Sequence, residues 1–141
     1  TNEYAPTYAA NATHNWDTAV TNSTNDAQDA VAQAQLYCTR DGYINAFKGL
    51  VAATSGKTVN FKVYKGTPAD ASSAGFALTQ LGDTASEVGG GGTNVDFFEA
   101  GSLGSSAAFS AGDVIIITIS AGAAASTVAR FNSTMEVVYT A

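Results

Sequence analysis

The sequence is poor in the residues from which most active sites are built. Among 141 residues there is one cysteine, Cys38, one histidine, His14, and one tryptophan, Trp16. A single cysteine leaves no intrachain disulfide to form, and a single histidine leaves no histidine-rich metal site. Charge is also scarce: 13% of residues are charged, with 6 Lys or Arg against 12 Asp or Glu and a net charge of -6. Binding to a phosphate backbone needs clustered cations to displace counterions, so no nucleic acid is expected as a partner. No apolar run reaches the roughly 20 residues of a membrane helix, and no basic-then-apolar leader opens the chain, so no membrane association is expected. The chain opens on Thr1, a small residue after which an initiator Met is normally trimmed; a complete product made in the cytoplasm is expected, although a cleaved precursor would look the same.

What is present points to one domain built from strands. Hydrophobic residues make up 45% of the chain, much of it Ala, so Thr, Ser, Asn and Gln must cover most of the surface. The length suits a single core. Residues 1–34 are rich in Asn, Thr, Ala and Gln and sparse in apolar residues, and read as an extended N-terminal arm. A short helix capped by Asn25 or Asp26 over "AQDAVAQA" competes there with a strand suggested by Val31, Gln33 and Gln35. Tyr4, Tyr8, His14 and Trp16 are the arm's candidate contact residues, placed where it docks.

Residues 35–141 change to period two with turn residues between runs. "LYCT" ends at Asp41-Gly42, and "YINAFKGLV" follows with Tyr43, Asn45 and Phe47 opposite Ile44, Ala46 and Lys48. After a hairpin turn at "TSGK", "TVNFKVYKG" alternates Val59, Phe61 and Val63 with Asn60, Lys62 and Tyr64. "GFALTQLG" gives a short strand, and "GDTASEVGGGGTN" a flexible loop. "VDFFEAG", "SSAAFS", "DVIIITIS" and "STVARFNSTMEVVYT" bring the total to about eight strands. Short strands at regular spacing with little helix predict an all-β jelly-roll β-sandwich. The basic residues, with Lys57, Lys62 and Lys65 on one hairpin arm, read as solubilising edge charges.

No pattern carries catalysis. Gly56-Lys57-Thr58 is the tail of a phosphate loop, but Val51 stands where its first glycine belongs and a strand follows instead of a helix. Asp96 with Glu99, and Asp113 with Glu136, are only nominal carboxylate pairs. Asp113 has a simpler role in launching a strand from Gly112-Asp113. No Asp-x-Asp-x-Asp loop offers a calcium site, so no metal and no cofactor is expected. The Asn-x-Ser/Thr triplets at Asn11, Asn22 and Asn132 are expected by chance in this composition, and Cys38 reads as a small buried residue.

The run "DGYINAFKGLVAATSGKTVNFKVYKG", then "FSAGDVIIITIS", then a strand ending "MEVVYT", resembles the trimeric jelly rolls of phage virion proteins, which share their architecture with tumour necrosis factor-like heads. The resemblance covers roughly residues 36–141. It implies a non-enzymatic homotrimer made in the host cytoplasm and carried on the virion. There it would act as a capsid decoration or cement protein that binds the major capsid protein and stabilises the shell. A receptor-binding knob of a tail fibre or needle is the first alternative, and a secreted lectin-like adhesion module the second. The absence of a heptad pattern ahead of the sandwich favours decoration. The same resemblance bears on "DVIIITIS", apolar on both faces. Ile115, Ile117 and Ile119 are assigned to the interior, while Val114, Ile116 and Thr118, with Val138, are assigned to the subunit interface of a trimer. The competing reading has a helix or the arm covering that face within one chain.

Overall fold

A computed structural model describes residues 3–4, 36–68, 78–121 and 129–140. They form nine strands: β1 (Glu3–Tyr4), β2 (Leu36–Tyr37), β3 (Gly42–Ala53), β4 (Thr58–Gly66), β5 (Leu78–Val88), β6 (Asp96–Glu99), β7 (Ala108–Phe109), β8 (Val114–Ala121) and β9 (Ala129–Tyr139). No helix occurs among the described residues. One sheet runs β1/β2, β8, β4, β5, and the other runs β6/β7, β3, β9, with every pair antiparallel. The pairs β4–β5, β3–β6 and β2–β8 are nested in sequence. One antiparallel ribbon therefore winds into two facing layers, the jelly-roll arrangement.

The core lies between the layers and follows the period-two pattern. Val59, Phe61 and Val63 of β4 meet Ile115, Ile117 and Ile119 of β8 in one apolar cluster that also takes Ile44, Phe47, Val51 and Phe98 from the other sheet. Cys38 belongs to the same cluster and is fully buried.

Four local expectations are corrected. In β3 the ladder with β9 shifts between Ile44 and Ala46, a bulge at Asn45 that puts Ile44 and Phe47 on the same buried face instead of opposite faces. "TSGK" is not a hairpin turn, because β3 and β4 lie in different sheets; it is a tight arch closed by the Lys57 N–H donating to the Thr54 carbonyl at 3.1 Å. β4 is flanked by β8 and β5, so Lys62 and Lys65 are not on an edge, and the Lys65 ammonium donates to the Ala108 carbonyl of the opposite sheet at 2.7 Å. "GDTASEV" continues β5 to Val88, and the glycines after it are pinned: the Gly89 N–H donates to the Lys57 carbonyl and the Gly91 N–H to the Ala53 carbonyl, at 2.9 and 3.1 Å. A Cβ at Gly89 would lie 2.5 Å from the Ala53 carbonyl oxygen, so the glycines permit close approach of two turns.

Tyr4 lies in β1, opposite Ile119, and Leu36 opens β2 opposite Ile115, so both ends of the segment 5–35 sit on the same edge of β8. The expected arm helix, and the contact residues Tyr8, His14 and Trp16, lie outside the described residues.

Candidate functional site

The motif that opens β8 is structural. In "FSAGD" the Asp113 carboxylate accepts the Ser110 N–H at 2.8 Å and the Thr67 hydroxyl, and the Asp113 N–H donates back to the Ser110 carbonyl at 3.1 Å. Gly112, at a φ of 94°, donates its N–H to the Cys38 carbonyl, and the Cys38 N–H donates to the Asp113 carbonyl. The turn is thus closed on itself and tied to the chain ahead of β3. Asp41 completes the tie by accepting the Ala111 N–H on its carboxylate and the Thr140 N–H on its carbonyl. Burial, helped by the nearby Asp113 charge, pushes the Cys38 thiol up to about 11, which keeps it protonated and unreactive.

The nominal carboxylate pairs do not converge. Asp113 is buried at the start of β8, whereas Glu136 is exposed on β9 in the other sheet and accepts the Asn45 amide N–H at 2.8 Å. Asp96 and Glu99 stand at opposite ends of β6, and Asp96 accepts the Gly90 N–H. Among the described residues no three His, Cys, Asp or Glu side chains are grouped to hold a metal ion. No helix among them is long and apolar enough to cross a membrane.

The residues expected at a subunit interface are already covered. Val114, Ile116 and Thr118 are 3%, 0% and 1% exposed within one chain. Val114 and Ile116 cluster with Tyr64 and Leu78 on the outer face of their sheet, so these three side chains present no surface to a second copy. Val138, on β9 of the other sheet, is half-buried.

Among the described residues, a group of exposed apolar side chains lies instead on the outer face of the β6–β3–β9 sheet. Leu50 on β3 is flanked by Phe97 on β6 and Asn132 on β9. Phe97 is 78% exposed, and Leu50 and Val95 beside it are also exposed. The rim is polar: Lys48 faces Glu99 on one side and Thr134 on the other. Two shallow depressions flank Leu50, one against Val95, Arg130 and Asn132, the other against Phe97, Lys48 and Thr134. A third lies between Arg130, Ser55 and Gly92 at the end of the sheet. Such a contiguous apolar patch with a charged rim marks a macromolecular contact more than a small-molecule pocket.

This patch was not among the expectations drawn from the sequence, although a signal for it was there. Phe97 and Phe98 are adjacent in a strand, and successive side chains point to opposite faces, so one ring had to face outward. Compared with known proteins, the chain matches no family model, no curated protein and no solved structure.

Proposed function

We propose that this protein is a non-enzymatic structural component of a phage virion, a decoration or cement protein that docks on the assembled shell and stabilises it. The observation that carries the reading is the Phe97–Leu50–Val95 patch, a group of neighbouring exposed apolar side chains in a protein of which only 13% of residues are charged. Burial of that patch against the major capsid protein supplies the driving force, and the Lys48, Glu99 and Arg130 rim sets the orientation. Trimeric association belongs to the proposal. Because Val114, Ile116 and Thr118 are buried within one chain, it forms on a different surface from the one they mark. Several copies held together would make several simultaneous contacts, so weak individual contacts sum to firm attachment.

The test is localisation on purified particles, followed by re-addition of the protein to shells stripped of it. A fixed copy number over the whole shell supports the proposal. Presence at the tail tip alone, or glycan binding by the isolated protein without shell binding, replaces it with the receptor-binding or adhesion reading.

A further inference from the structure

Strand edges that could pair with another chain are normally shortened, bulged or covered. β1, β2 and β7 are 2 residues long and β6 is 4, too short to template a partner. β5 runs for 11 residues, but its ladder with β4 shifts between Phe61 and Val63, and Gly82 within it has a φ of 69°. β9 differs. It runs 11 residues with no proline and no break of its own, and among the described residues only β3 pairs with it.

The direction of its backbone groups follows from the ladder. The Ala100 N–H donates to the Phe47 carbonyl, so Phe47, and with it Gly49 and Val51, turn their backbone groups toward β6. Lys48, Leu50 and Ala52 therefore bond Thr134, Asn132 and Arg130. By the same alternation Phe131, Ser133 and Met135 turn their N–H and C=O groups to the open edge. The side chains of Phe131, Met135 and Val137 pack on the core yet stay only partly buried, so the core itself is unfinished along this edge.

We propose that the β9 edge pairs antiparallel with the β9 edge of a second copy across a twofold axis at Ser133. This register uses all three outward residues, giving about six backbone hydrogen bonds. It sets Phe131 against the partner copy's Met135 and Asn132 against its Thr134. It also sets Arg130 against Glu136 on both sides of the axis, opposite charges at directly facing positions. The self-complementary order Arg130, Phe131, Asn132, Ser133, Thr134, Met135, Glu136 is what selects a second copy as the occupant. The contact is independent of the shell-binding proposal. Combined with threefold association it would pair two trimers into a hexamer.

The test is the mass of the isolated protein by native mass spectrometry and sedimentation across a concentration series. The wild type is expected as an even multiple of 14.3 kDa, and Ser133→Pro, which removes an N–H that the fold does not use, halves that mass. Arg130→Glu alone places like charges across the axis and weakens pairing about tenfold, while Arg130→Glu combined with Glu136→Arg restores it to within about threefold. A wild-type monomer or odd-numbered oligomer, a mass unchanged by Ser133→Pro, or a double variant no tighter than the single one overturns the proposal. If Ser133→Pro lowers the melting temperature without changing mass, the edge is taken by the chain's own residues and the proposal is likewise overturned. Shell binding is not read in any of these measurements, so its failure is separable.

Discussion

Phe61 of β4 and Phe98 of β6 stack face to face across the sandwich, ring centroids 3.9 Å apart and planes 7° from parallel. Phe47 and Phe131 meet the same pair at 5.6 Å in tilted and edge-on contacts. Gly49 makes room for this: Phe98 lies opposite it, and a Cβ there would come within 2.8 Å of the Phe98 ring. The two sheets are thus joined by an aromatic column, while Phe97, the residue just before Phe98, faces solvent.

Two adjacent phenylalanines should therefore respond in opposite ways. Phe98→Ala removes a 2% exposed ring from the centre of the column and should cost about 3–5 kcal/mol of stability. Phe97→Ser removes a ring from the surface and should leave stability within about 0.5 kcal/mol. Urea denaturation of both variants checks this, and equal losses would show that Phe97 is packed in the folded protein.

Much of the sandwich was legible because a half-buried strand leaves a period-two trace. β4 kept the expected inward set Val59, Phe61 and Val63, and β8 kept Ile115, Ile117 and Ile119. The bulge at Asn45, the crossing of "TSGK" between sheets and the pinned glycines were not legible. Each is decided by a partner distant in sequence: β9 for the bulge, and the facing turns at Ala53–Lys57 and Gly89–Gly91 for the other two. The second apolar face of "DVIIITIS" shows the limit well. The sequence required that Val114 and Ile116 be covered but did not say by what, and the structure buries them within the single chain.

Asp113 should be worth more than its place in a turn suggests. Asp113→Ala leaves the Ser110 N–H and the Thr67 hydroxyl without their acceptor at a part-buried site, and should destabilise by about 1–3 kcal/mol. Asp113→Asn keeps one carbonyl oxygen and should lose less. Thermal melts of the two variants would rank them, and the reverse order would mean that the charge, not the acceptor geometry, matters.

The buried thiol predicts a loss of stability in alkali. Cys38 rises in the folded protein from an ordinary 9.0 to about 11, so the folded state holds its proton more tightly than the unfolded chain. Its contribution is complete below pH 9 and declines as pH rises through about 11, because the unfolded chain gains by ionising first. The quantity to measure is the difference between wild type and Cys38→Ala from pH 8 to 11, which isolates the thiol from the rest of the chain. A difference that stays flat sinks the argument. A thiol reagent at pH 8 should likewise react with the unfolded chain and spare the native one.

The last prediction concerns the shell. If the Phe97–Leu50 face is buried against capsid protein, wild type added to stripped shells should bind to a saturating copy number and raise their melting temperature. Phe97→Ser, folded as well as wild type, should bind weakly or not at all, since loss of a central aromatic anchor typically costs about 2 kcal/mol or more per contact, which is more than tenfold in affinity. Lys48→Glu on the rim should instead slow association and change its salt dependence while leaving a bound state, because rim charges steer approach more than they hold the complex. The two variants together separate a docking face from a generally sticky one. If Phe97→Ser binds shells as wild type does, the contact lies elsewhere on the domain, and the exposed patch must be explained by another partner.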